Sequence, residues 1–137
     1  MASLDDVARL AATLPEVVEG AGGHRGRTWS VRGKAFAWER AFSKADIRRF
    51  GDETPPDDPI LAVRTEDLSE KEAVLAAGQA GLFTIPHFDG YAAVLVELDV
   101  VDDEVLRDLV VDGWLACAPE ALGRSYVESE DQRRDDR

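Results

Sequence analysis

Apolar residues recur along this chain with two different periods, and the changes of period divide it into elements. Leu4, Val7, Ala8, Ala11 and Leu14 fall at helical spacing. Ser3 with Asp6 three residues on has the form of a capping box, in which each side chain accepts a backbone N–H of the first turn. Pro15 pushes the residue before it out of the α region and ends this helix. Gly20, Gly22 and Gly23 mark the next stretch as a loop. From Arg27 the pattern alternates: Trp29 and Val31, then Arg32-Gly33, then Phe36 and Trp38. Two alternating runs around an X-Gly pair predict a hairpin, with Trp29 or Trp38 substantially buried.

Further along, Ser43 to Phe50 reads as a short helix, and residues 52–59, with three prolines, as a solvated loop. Ile60 to Val63 is a strand. Asp67 to Ala77 is a helix, with Ser69 and Glu72 as its capping pair and Gly78 behind it. Phe83 to Ile85 is a short strand, and Pro86 to Gly90 a turn. Tyr91 to Leu98 is the strongest strand, with Ala92, Val94, Val96 and Leu98 on one face. Val101 to Cys117 is the best helix, with Val105, Leu106, Leu109, Val110 and Trp114 along one stripe. Pro119 to Leu122 starts one more turn. Strands do not alternate strictly with helices, which predicts an α+β fold: an antiparallel β-sheet with helices packed on one face. The 137 residues form a single domain over residues 1–125, followed by a charged, disordered tail over 126–137.

Composition narrows the function classes. Acids number 28 and bases 16, a net charge of −12, which excludes a simple basic nucleic-acid binder. The lone Cys117 excludes a disulfide framework and a multi-cysteine zinc site, and it reads as a buried small hydrophobe. Two histidines, His24 and His87, exclude a histidine-rich metal centre. No metal and no cofactor are expected. No apolar run approaches the ~18 residues of a membrane span, and the acidic N-terminus is unlike a signal peptide. These features point to a cytoplasmic protein with no membrane partner. No nucleophile elbow, phosphate loop or Cys-x-x-Cys pair is present, so no catalytic residue is assigned. Asp57-Asp58 and Asp102-Asp103 read as solvation and helix capping.

The distribution of charge is less even than its total. Residues 24–49 carry eight bases against two acids, +6, which leaves −18 for the rest. Arg25, Arg27, Arg32, Lys34, Lys44, Arg48 and Arg49 are therefore candidates for contacting DNA or another polyanion. The alternative is internal pairing of these bases with the abundant acids. At least four of the eight basic groups are expected to form an exposed patch without acidic partners. A second candidate is a small-molecule or protein-partner pocket near Trp38, His87, Phe88, Asp89 and Tyr91, where aromatics and a few polar groups converge at strand ends.

Taken together, Leu14-Pro15-Glu16, the run Trp29-x-Val31-x-Gly33-Lys34-x-Phe36-Ala37-Trp38, the segment Pro86-His87-Phe88-Asp89-Gly90-Tyr91 and the closing Asp112-Gly113-Trp114 resemble the MmcQ/YjbR family of small bacterial proteins. The likeness covers about residues 3–123. It implies a CyaY-like α+β fold and a DNA-binding, non-enzymatic role, with the contacts mapped to the basic hairpin around Arg32 and Lys34. It brings no catalytic residues.

Overall fold

A computed structural model of the chain describes residues 2–22, 26–40 and 60–135. Helix α1 (Leu4–Ala12) begins with the Ser3–Asp6 capping box, each side chain accepting the other residue's backbone N–H. Strands β1 (Val17–Gly22), β2 (Gly26–Val31), β3 (Lys34–Glu39), β4 (Ile60–Arg64), β5 (Leu82–Phe83) and β6 (Ala93–Glu97) pair antiparallel in the order β1-β2-β3-β4-β6-β5. Helices α2 (Leu68–Ala76), α3 (Asp103–Cys117) and α4 (Glu120–Asp135), with a 3-10 turn at Pro86–Phe88, complete the described part. The chain is thus α+β with an antiparallel sheet, as its patterning predicts.

The β2–β3 hairpin closes through Arg32 and Gly33, whose φ angles are 50° and 83°. Two successive positive φ values are what a type I′ turn requires, and they match the twist of the flanking strands. Trp29, Val31 and Phe36 then point to the helical side. They meet Val7 and Ala11 of α1 and Leu106, Leu109, Val110 and Trp114 of α3 in the main core. Trp29 and Trp114 are fully buried.

The centre of the sheet is buried on both faces. Leu61, Val63, Val94 and Val96 face the helices, whereas Ile60, Ala62, Ala93 and Leu95 pack with Ile85 and Phe88 in a second cluster. The one-faced reading of the last strand missed this. In Ala93–Glu97 both alternating sets are apolar, the signature of a strand covered above and below. Among the described residues the second face is covered by the 3-10 turn and its loop rather than by a helix.

Helix α3 crosses the sheet at Gly113. A Cβ there would lie 2.9 Å from Val63 Cγ1, 3.1 Å from Phe36 O and 3.2 Å from Arg64 O. Glycine is therefore the residue that lets the helix backbone rest on β3 and β4. Trp114 follows, and its indole N–H donates to Pro15 O at 3.0 Å, tying α3 to the turn after α1.

Several boundaries differ from the sequence expectations. The glycine-containing stretch after Pro15 is strand β1, because pairing with β2 (Val17 opposite Val31) overrides the weak strand preference of glycine. Helix α2 is capped by Asp67, which accepts from Glu70 N–H, and Glu70 reaches back to Glu66 N–H; Ser69 and Glu72 are not the capping pair. The short strand is Leu82–Phe83 rather than 83–85. The region from 126 onward, expected as a disordered tail, continues α4 to Asp135. Its first half is anchored by Tyr126, edge-on to Trp114 at 5.1 Å, and Arg124 pairs with Glu120 one turn back. Glu, Gln and Arg then extend a helix already nucleated. The expected helix at Ser43–Phe50 and the loop at 52–59 lie outside the described residues. No described helix is long and apolar enough to cross a membrane.

The Gly113 contact yields a direct test. Gly113→Ala gains intrinsic helix propensity, yet the added methyl meets two backbone oxygens that have no room to move. The expected outcome is a net loss of about 1–3 kcal/mol in urea unfolding. Equal or higher stability would show that α3 can withdraw from the sheet.

Candidate functional site

Of the candidate basic residues, Arg27, Arg32 and Lys34 lie among the described residues. Arg25, Lys44, Arg48 and Arg49 lie outside the described residues. Arg27 is engaged by two acids: its guanidinium bonds both Glu19 oxygens at 3.0 and 3.1 Å and Asp5 at 2.8 Å. Glu19 also accepts the Trp29 indole N–H at 3.0 Å. The Arg27 guanidinium, with Trp29 assisting, holds the Glu19 carboxyl below its ordinary range, and Glu19 and Asp5 in turn push Arg27 upward. Arg32 forms a bidentate pair with Glu16, at 2.6 and 3.0 Å, which lowers the Glu16 carboxyl likewise. Both partners have positive φ, 58° at Glu16 and 50° at Arg32. The pair therefore joins two left-handed residues at the sheet end where Val17 and Val31 face each other. Lys34 is exposed beside the turn, and Arg40 lies over the Phe88 ring at 5.7 Å. For Arg27 and Arg32, internal pairing is the arrangement adopted.

On the opposite face a different group assembles. Trp38 on β3, Phe88 on the 3-10 turn and Tyr91 just before β6 form an edge-to-face chain. The ring centroids are 6.3 Å apart for Trp38–Tyr91 and 5.7 Å for Phe88–Tyr91. Alternation along the strands explains the meeting. Trp38 and Ala62 are register partners, and so are Arg64 and Ala93, and all four belong to the second face. Phe88 is buried and Tyr91 is 41% exposed, so the cluster runs from core to solvent. Asp89 is exposed at the end of the turn, its N–H donating to Pro86 O. His87 belongs to the turn by its backbone, and its side chain lies outside the described residues.

Two cations that the sequence reading did not single out complete this group. Lys71 is the one fully buried side chain of α2, at 6% exposure. Its ammonium donates to Phe88 O at 2.6 Å and to Tyr91 O at 2.8 Å, clasping the loop that carries both rings. Burial pushes the Lys71 amine below its ordinary range, and Asp89 opposes that shift. The available signal was its place on the inward stripe with Val74 and Leu75, where a lysine must find buried acceptors. Arg64 ends β4 with its guanidinium carbon 5.3 Å from the Tyr91 ring centre and Nη1 at 3.3 Å from the Tyr91 hydroxyl. Its Nε is buried without a hydrogen-bond partner. Such an orphaned donor costs about 1–3 kcal/mol.

The acidic flank lies on α3. Asp112 is exposed, yet partial desolvation by its neighbours pushes its carboxyl above the ordinary range, with Glu70 and Asp108 adding repulsion. Burial also raises the Cys117 thiol, whose Sγ lies 3.7 Å from Ala35 O, as fits a packed rather than reactive cysteine. Among the described residues no group of three or more His, Cys, Asp or Glu is placed to hold a metal ion.

The sequence profile of the YjbR family matches residues 12–116, which span the sheet, the loop with its rings and nearly all of α3. The chain belongs to the YjbR family. An uncharacterised protein of Mycobacterium bovis is 40% identical to it over 130 residues, 93% of this chain and 97% of that protein. Uncharacterised proteins from two Mycobacterium tuberculosis strains match to the same extent. A crystal structure of a Deinococcus radiodurans protein with a DUF419 domain shares the fold, with a TM-score of 0.58 and 21% identity. That likeness covers 84% of this chain and 78% of the other.

Two outcomes follow for this YjbR-family site. Lys71→Met removes both ammonium bonds to the loop. It is expected to cost about 1–3 kcal/mol and to speed hydrogen exchange at the Asp89 and Tyr91 amides ahead of those in β4. An unchanged exchange pattern would mean that ring packing alone holds the loop. Asp112 has a raised folded pKa, so its ionised form opposes folding, and that penalty is full once the pH is above the folded value. Asp112→Asn should therefore raise Tm at pH 7. The gain should shrink as the pH falls through the folded pKa and vanish below the unfolded value of 3.8.

Proposed function

We propose that this YjbR-family protein is a non-enzymatic binding protein that takes a small planar ligand on the Trp38–Tyr91 platform. The observation that carries this reading is the half-exposed Tyr91 ring, braced edge-on by Trp38 and Phe88 and fixed from below by Lys71. An aromatic ring braced in this way and reaching solvent offers stacking once the Arg64 guanidinium over it swings aside, worth about 1–3 kcal/mol per stacked ring. Duplex DNA is the second reading. It is supported by the exposed Lys34 beside the hairpin turn and by the basic run of residues 24–49. It ranks second because Glu16, Glu19 and Asp5 occupy the guanidinium groups of Arg32 and Arg27, and because the net charge of −12 opposes a polyanion.

The two readings separate in one titration. Trp29 and Trp114 are buried, so a ligand on the platform should quench Trp38 fluorescence selectively, and Trp38→Phe should remove the signal. Nucleosides are the probe for planar ligands, and a duplex oligonucleotide for DNA. Tyr91→Ala should weaken nucleoside binding about 5- to 150-fold with Tm little changed. Quenching by the duplex alone, sensitive to Lys34→Glu and insensitive to Tyr91→Ala, would favour the second reading. No response to either probe up to 1 mM would overturn both.

A further inference from the structure

We propose that Arg64 is the anion-receiving residue of this site: its guanidinium leaves the Tyr91 ring to take the phosphate or carboxylate group of a ligand stacked there. The proposal deepens the platform reading and rests on it for the organic part of the ligand; the anion contact has its own readout.

In its present position Arg64 is poorly satisfied. Its single polar side-chain contact is Nη1 to the Tyr91 hydroxyl at 3.3 Å, beyond the usual range for such bonds. Its Nε is buried with no acceptor. Among the described residues no carboxylate pairs with it, whereas Arg9, Arg32 and Arg124 each hold one and Arg27 holds two. In a chain with 28 acids, an arginine left beside an aromatic ring without a carboxylate is available for an external anion.

The backbone at this position is fixed, which makes the side chain the part that moves. Arg64 is paired with Ala93 across the sheet, and its carbonyl faces the close approach of Gly113. The next residue, Thr65, is buried and bonded through its N–H to Ala92 O at 2.8 Å. Rotation about the side-chain torsions would free Nε–H and an Nη–H together. These two donors form the planar fork that meets a phosphate or carboxylate with two parallel bonds. The anion would thus satisfy the donor that the resting pose leaves orphaned, and the Tyr91 ring would be uncovered for stacking in the same movement. The ligand class that fits both parts is a planar ring bearing an oxyanion, a mononucleotide rather than a nucleoside.

The test follows the Arg64 Nε–H resonance by NMR during titration with inorganic phosphate, alongside affinities for adenosine and 5′-AMP. A saturable shift of the Arg64 signal with phosphate is expected. AMP should bind at least roughly tenfold tighter than adenosine, the ratio for one charge-assisted contact. Arg64→Lys keeps the charge but loses the fork. It should abolish the preference and leave adenosine affinity within about twofold. If phosphate saturates the Arg64 signal while adenosine does not bind, the anion assignment stands and the ring-platform reading falls. The proposal is overturned if the Arg64 signal ignores phosphate, or shifts only in parallel with Arg27 and Arg32 (an adventitious ion only). It is equally overturned if AMP and adenosine bind alike, or if the preference survives in Arg64→Lys.

Discussion

Strands β4 and β6 are apolar on both sides, and the rest of the structure answers the need to cover them. On one side the cover is α3, and it is effective because Gly113 lets the helix backbone touch the sheet. On the other side the cover is a 3-10 turn and its flanking loop, which bring Ile85 and Phe88 onto Ala62 and Leu95. Phe88 O and Tyr91 O each accept one backbone bond locally, from the Tyr91 and Ala93 N–H groups. Lys71 adds a second bond to each and ties the loop to α2 with a buried ammonium. The aromatic platform is thus a consequence of how the second face is sealed.

Charge is handled locally. The arginines of the first hairpins are absorbed by acids of neighbouring elements: Glu16 for Arg32, Glu19 and Asp5 for Arg27. These pairs are largely exposed, so each contributes little stability singly. Their greater effect is on orientation. The Glu16–Arg32 fork joins two left-handed residues across adjoining chain segments, and the Glu19 carboxylate is shared by Arg27 and the Trp29 indole. Two cations beside the loop of rings are held differently. Arg64 lies over the Tyr91 ring, and the Lys71 ammonium donates to backbone carbonyls. The protein therefore carries cations neutralised by carboxylates and, at these two positions, cations whose described hydrogen bonds go to neutral acceptors.

The chain itself determined its local elements wherever one residue or one period decides the matter. Ser3 and Asp6 started α1, Arg32-Gly33 closed the β2–β3 hairpin, and the α3 stripe fixed which side of that helix meets the core. The resemblance carried by residues such as Pro86 to Tyr91 and Asp112 to Trp114 identified the family. Tertiary structure decided what depends on neighbours distant in sequence. Strand β1 exists because β2 offers it a ladder, although its glycines disfavour a strand. Helix α4 persists past 126 because Tyr126 finds Trp114. Trp38, Phe88 and Tyr91 were legible as aromatics near strand ends, but Arg64 and Lys71 were not legible as their partners. A lone arginine after an apolar strand, or a lysine on a helix stripe, has no local signature of its role. The acceptors and rings it meets are supplied by segments that pairing and burial bring together, 17 to 27 residues away along the chain.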